Sequence, residues 1–100
     1  MTDAVARRQL TVDLDSRPVL QRHMKLRHDR VRDRWVVLAP ERIILPNEEG
    51  VSVLKLCDGQ RTVADIARVL AAEYDATPEV IAADIGPILQ ELCDRGVLGW

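Results

Sequence analysis

The apolar positions of this chain change their period once, at Pro46. Before it they alternate. From residue 19 to 28, Leu20, Met24 and Leu26 share one face, interrupted by Arg22, while Gln21, His23, Lys25 and Arg27 share the other. This is the two-residue period of a half-buried strand. Asp29, Arg30, Val31, Arg32 and Asp33 form a polar connection, and residues 34–38 with Trp35, Val36, Val37 and Leu38 predict a second strand. Ala39-Pro40-Glu41-Arg42 places proline where a type I turn needs its preset φ, and leads into a third, short strand of Arg42, Ile43, Ile44 and Leu45. The first 46 residues thus predict a three-stranded antiparallel meander.

After Pro46, which has no N–H for a strand ladder, the period becomes helical. Asn47 is a good N-cap, with Glu48 and Glu49 in the first turn where the helix dipole favours carboxylates; Gly59 is expected to close this helix. Thr62 with Asp65 resembles a capping box for a second helix, whose apolar face is Val63, Ile66, Ala67, Leu70 and Tyr74. Thr77 caps a third, with Pro78 at its first position, and Ile81, Ile85, Ile88 and Leu92 form its core stripe. Gly96 ends that helix, and residues 97–100 suit a short strand. Pro87, preceded by Gly86, removes the hydrogen bond to the carbonyl of Ala83 and predicts a bend, either a tolerated one or one that shapes a groove. The fold class is α+β: a three-stranded antiparallel meander followed by a three-helix bundle, winged helix-turn-helix-like.

Composition narrows this. One hundred residues make one domain, and with Trp35, Trp100 and Tyr74 as the aromatics its core is aliphatic. No apolar run approaches the roughly 20 residues of a membrane span. The start of the chain, with Asp3, Arg7 and Arg8 but no apolar block, does not read as a signal peptide, and a cytoplasmic protein is expected. Residues 1–16 read as a flexible N-terminal extension and 17–100 as the domain, although Leu10, Val12 and Leu14 alternate with polar residues as a short strand would. Charge is uneven. Residues 1–46 carry ten Lys and Arg against six Asp and Glu; residues 47–100 carry four against ten. A basic strand half and an acidic helical half suit a polar partner, or simply two solvated faces.

Catalytic chemistry is not visible. His23 and His28 stand five apart on a predicted strand and face opposite sides. Cys57 and Cys93 lack the close partners of a zinc site and read as buried thiols rather than a disulfide. There is no glycine-rich phosphate loop and no nucleophile motif around Ser16 or Ser52. No enzyme activity, cofactor or metal is expected. A winged-helix DNA-binding regulator is the alternative of another class. Its recognition helix would present Glu79, Asp84, Glu91 and Asp94 against a single Arg95, and a phosphate backbone repels such a helix.

An apolar edge strand with one uncovered face is a template for another strand. Beside the core stripe of the third helix lies an arc of Ala82, Gly86, Leu89 and Cys93, three of them small enough for a backbone to come close. The candidate peptide-binding residues are therefore Arg42, Ile43, Ile44 and Leu45 on the strand and Ala82, Ile85, Gly86, Leu89 and Cys93 on the helix. The plainer alternatives are that the arc packs on the other helices, or that the strand edge pairs with a second copy in a homodimeric structural module.

A family resemblance follows from an ordered set of segments. Lys25-Leu26-Arg27-His28-Asp29, then Pro40-Glu41, then Asn47-Glu48 opening a helix that runs to Asp58-Gly59, then Arg95-Gly96-Val97-Leu98, resemble the PqqD family over residues 17–99. Pro46 and Pro87 depart from its pattern. The resemblance implies a small peptide chaperone of pyrroloquinoline quinone (PQQ) biosynthesis, a recognition element for a ribosomally made precursor peptide. It implies two partners: a precursor of the PqqA type, and a radical S-adenosylmethionine (SAM) enzyme of the PqqE type that cross-links a glutamate and a tyrosine.

Overall fold

The computed structural model describes residues 11–100, so that residues 1–10 of the expected extension over 1–16 lie outside the described residues. The chain is α+β. Strand β1 (Val19–Leu20) is followed by β2 (Lys25–Asp29), β3 (Arg34–Ala39) and β4 (Arg42–Ile44). Helices α1 (Glu48–Leu54), α2 (Val63–Tyr74) and α3 (Pro78–Asp94) come next, and strand β5 (Leu98–Gly99) is last. The order β2-β3-β4 is the expected antiparallel meander, with β4 at one edge.

The segment from 19 to 28, predicted as one strand, is divided. A turn closed by the Met24 N–H on the Gln21 carbonyl (2.9 Å) separates β1 from β2. β1 leaves the meander and pairs antiparallel with β5, Leu20 opposite Leu98, as a second two-stranded sheet. Arg22, which interrupted the alternation, sits exposed in that turn.

The meander's register places Leu26, Val37 and Ile44 side by side on one face. This face meets the helices: Val37 and Ile44 join Val53, Leu54, Ile66, Leu70, Ile85, Leu89 and Leu92 in one aliphatic core. Burying each such side chain contributes roughly 1.5–3 kcal/mol relative to exposure, before the entropy of ordering is subtracted.

The helix starts follow their local chemistry. Asn47 accepts the Gly50 N–H at 2.8 Å, and Thr77 accepts that of Val80 with Pro78 just inside the helix. Thr62 and Asp65 form the reciprocal capping box of α2. The other two free N–H groups there, on Val63 and Ala64, donate to the carbonyls of Ser16 and Leu14. Residues 11–16 form no strand; they run against α2 and α3, with the Val12 N–H donating to Gln90.

One helix ends earlier than expected. α1 stops at Leu54, because the N–H groups of Leu56 and Cys57 bond back three residues and tighten the last turn. Gly59 lies beyond it, with φ +78°, where its N–H donates to Pro18 and a Cβ would meet Val19 at 3.3 Å. α3 runs as one helix through Pro87. Pro87 and Ala83 are both exposed, so water can satisfy the carbonyl that the ring deprives of its partner.

Candidate functional site

β4 pairs only with β3 among the described residues, so its other edge keeps unpaired backbone groups. Alternation settles which side chains it shows. Ile44 points inward and is buried; Ile43 points outward and is 63% exposed. Leu45, just past the strand, is also exposed. Arg42 shares the inward side with Ile44, and its Nη2 donates to the carbonyl of Arg95 at 3.4 Å, linking the strand to the C-terminal cap of α3.

Between the end of β4 and α3 lies a hollow of about 260 Å³, lined by Leu45, Pro46, Asn47, Gly50, Ile88, Glu91, Leu92 and Arg95. Its apolar part is Leu45, Ile88 and Leu92, and its charged wall is the Glu91–Arg95 pair at 3.8 Å. The helix residues at this edge are thus about two turns at the C-terminal end of α3, on its Ile88 side.

The structure keeps the strand half of the candidate set together but distributes the helix half elsewhere. Leu89 is fully buried in the core, so no peptide reaches it without unpacking the domain. Ile85 is buried as well and lines a different hollow, of about 660 Å³, with Glu49, Val53, Leu70 and Val80. Ala82 faces Leu14, Ala64 and Ala67. Gly86 and Cys93 are partly exposed, and a Cβ built at Gly86 would meet nothing within 4 Å. Of the small-residue arc, Ala82 thus lies toward α2 and Leu14 while Gly86 opens onto free space, and it is the neighbours Ile88, Glu91, Leu92 and Arg95 that line the hollow at the end of the strand. Ile88 and Leu92 were legible as apolar positions, but only as core; no local signal told which flank of the stripe meets β4.

Electrostatics fit recognition rather than acid–base work. The Cys57 thiol, donating to the Val53 carbonyl, is pushed up to about 12 by burial and, secondarily, by the charge of Asp58. Burial, then Asp94, also raises Cys93. Such thiols are poor nucleophiles at neutral pH. Both cysteines are free. His28 is engaged by Asp33 at 3.1 Å and packs on the Trp35 ring at 5.2 Å, which in turn carries Lys55 Nζ at 4.4 Å. Among the described residues no group of three His, Cys, Asp or Glu could hold a metal ion.

The family model of coenzyme PQQ synthesis protein D (PqqD) matches residues 34–98, from β3 to β5. The chain belongs to the PqqD family. The PqqA binding protein of Bradyrhizobium diazoefficiens is 50% identical over 91 residues, covering 91% of this chain and 88% of that protein. The bifunctional coenzyme PQQ synthesis protein C/D of Methylorubrum extorquens is 48% identical over 81 residues, 81% of this chain but 22% of that protein. In that relative the PqqD-like part belongs to a longer polypeptide. Among solved structures, the PqqD truncation of Methylobacterium extorquens PqqCD is 43% identical, with a TM-score of 0.77 over 91% of this chain and 97% of that one. It is described as a functional, stand-alone recognition element for ribosomally synthesized and post-translationally modified peptides. The PqqD neighbour thus shares this α+β arrangement. No helix among the described residues is long and apolar enough to cross a membrane.

Proposed function

We propose that this chain binds a PqqA-type precursor peptide as an added strand on β4 and presents it, in the cytoplasm, to a PqqE-type radical SAM enzyme for Glu–Tyr cross-linking in pyrroloquinoline quinone biosynthesis. The observation that carries the reading is the unpaired edge of β4 beside the Ile88 side of α3, in a chain half identical to a PqqA binding protein. Main-chain pairing along an edge supplies affinity with little demand on sequence, and side-chain pockets at alternate positions supply the specificity.

Arg42, Ile43, Ile44 and Leu45 provide the strand in this reading, and Ile88, Glu91, Leu92 and Arg95 the wall. Ile44 acts from the core, by fixing the strand, rather than by touching the peptide. Pro46 has no N–H, so pairing fades at that end. The bond from Arg42 to the Arg95 carbonyl spans the gap that a peptide would enter. Arg42 then exchanges a neutral acceptor for whatever the peptide brings, and a carboxylate is the stronger partner. The chain's part is to bind and position; the cross-linking chemistry belongs to the enzyme.

A titration of isotope-labelled protein with the precursor peptide tests this. The largest amide shifts are expected at 42–45 and at Ile88, Glu91, Leu92 and Arg95. Ile88→Asp is expected to weaken binding at least about tenfold, equivalent to about 1.4 kcal/mol. Largest shifts on β2 or α1, with β4 and α3 unmoved, would overturn the placement.

A further inference from the structure

The sheet has a second face. The helices cover the side that carries Leu26, Val37 and Ile44. The register puts Lys25, Leu38 and Ile43 in one row on the other side, with Arg27 opposite Val36 and Asp29 opposite Arg34 beside them. Leu38 is 37% and Ile43 63% exposed, so two aliphatic side chains stand together in solvent. Around them Lys25, Arg27 and Arg34 are exposed, and none of the three has an ion-pair partner among the described residues. The hairpin that carries them is tied at its tip, where Asp29 accepts the N–H groups of Val31 and Arg32. There Val31 is 91% exposed.

We infer that this outer face is the docking surface for the enzyme that modifies the peptide, and that the enzyme meets it with an apolar patch rimmed by carboxylates. The inference rests on the presentation role proposed above. A strand added to β4 continues the pleat, so half of its side chains turn toward the helices and half emerge on the outer face beside Ile43. The helices block the first set. An enzyme can reach the second set only from the side of Leu38 and Ile43, and there it meets unpaired cations around an apolar centre. Complementary charge brings it in and fixes its register, while the apolar centre contributes contact area.

Two other occupants fit less well. Single-stranded nucleic acid is held by aromatic side chains on which bases stack, and the register places Trp35, opposite His28, on the inward side of the sheet. A second copy would set the basic sheet of one molecule against the acidic helices of the next, a heterologous contact that propagates as open chains unless the rotation happens to close a ring.

The test compares the full chain with its Lys25→Glu/Arg27→Glu/Arg34→Glu and Leu38→Ser variants, none of them altered in β4 or α3. Affinity is measured separately for the precursor peptide and for the purified radical SAM enzyme with peptide in excess. The peptide's dissociation rate, read in the same binding experiment, is expected to stay within about twofold in both variants, as for surface changes away from a site, which also reports that they fold. The triple variant, having lost part of the basic field, slows only peptide association. Enzyme affinity is expected to fall at least about tenfold for the triple variant, and less for Leu38→Ser. In isotope-labelled wild-type protein, enzyme addition is expected to broaden the amides of β2, β3 and Ile43 before those of α2. Undiminished enzyme affinity in both variants would overturn the surface while leaving presentation intact. A wild-type chain that never binds the enzyme would overturn both. Self-association or binding of single-stranded RNA, lost in the triple variant while enzyme affinity holds, would reassign the face and overturn the inference.

Discussion

Cys57 shows how a single residue links packing to pH. Its thiol is enclosed by the core and, secondarily, lies near the charge of Asp58, so the thiolate is disfavoured and the folded value rises from 9.0 to about 12. In the unfolded chain it titrates near its ordinary value. Between pH 9 and 12 the unfolded chain therefore binds fewer protons than the folded one, and stability falls as pH rises through that window. Below pH 9 this contribution is complete. Urea unfolding of the reduced protein is expected to show a decline of up to about 1.4 kcal/mol per pH unit from this residue. Iodoacetamide at pH 9 is expected to modify the half-buried Cys93 well before Cys57, and equal rates measured by mass spectrometry would show that the core around Cys57 opens readily. The sequence identified both residues as packed thiols by their helical positions. How far the two differ depends on which neighbours enclose each.

At the scale of elements, α2 shows what completes a helix start. All four of its first N–H groups are satisfied: those of Thr62 and Asp65 by the capping box, those of Val63 and Ala64 by the carbonyls of Ser16 and Leu14. The box was legible from Thr62 and Asp65 alone. The contribution of residues 14–16 was not, since nothing local says that a polar segment nearly fifty residues earlier supplies two acceptors. Thr62→Ala removes one acceptor and leaves the others, and is expected to lower stability by about 1 kcal/mol. The midpoint of urea unfolding should fall with an unchanged slope, because the surface exposed on unfolding is the same. A null effect would mean that the carbonyls of Leu14 and Ser16 hold the helix start by themselves. The Asp65 carboxylate also pairs with Arg68, and the Thr62 N–H, the largest cause, holds it below its ordinary value. Its contribution is present above the unfolded value near 3.8 and is lost as pH falls below it.

At the scale of the whole molecule, the unequal charge of the two halves becomes a spatial arrangement. The basic half is the meander, with Arg27 and Arg34 on its outer face and Arg42 at its edge. The acidic half is the helical layer behind it. An acidic peptide approaching the β4 edge meets positive potential first, so its association is steered. The association rate is expected to drop severalfold between about 0.05 and 0.5 M salt while the dissociation rate changes little, as for long-range rather than contact electrostatics. Stopped-flow fluorescence from Trp35, beside β4 in the sheet, offers a readout. A rate indifferent to salt would remove the basic edge from the recognition of the peptide.

By itself the sequence determined the elements and their order. The two-residue period before Pro46 and the helical period after it, with Asn47, Thr62 and Thr77 at the helix starts, rest on interactions within a few residues. It also marked the β4 strand as an unsatisfied edge. Three things were decided only in the folded chain. β1 left the meander for β5, a pairing between residues nearly eighty apart that no local pattern encodes. Gly59 became a turn against Val19 rather than a helix cap. And α3 settled with Leu89 in the core and Ile88 toward the strand. Neighbouring residues on a helix point about 100° apart, so a rotation of one position exchanges a buried side chain for one at the groove. Periodicity states that a helix has an apolar stripe; only close packing against two other helices and a sheet selects which flank of that stripe remains for a partner.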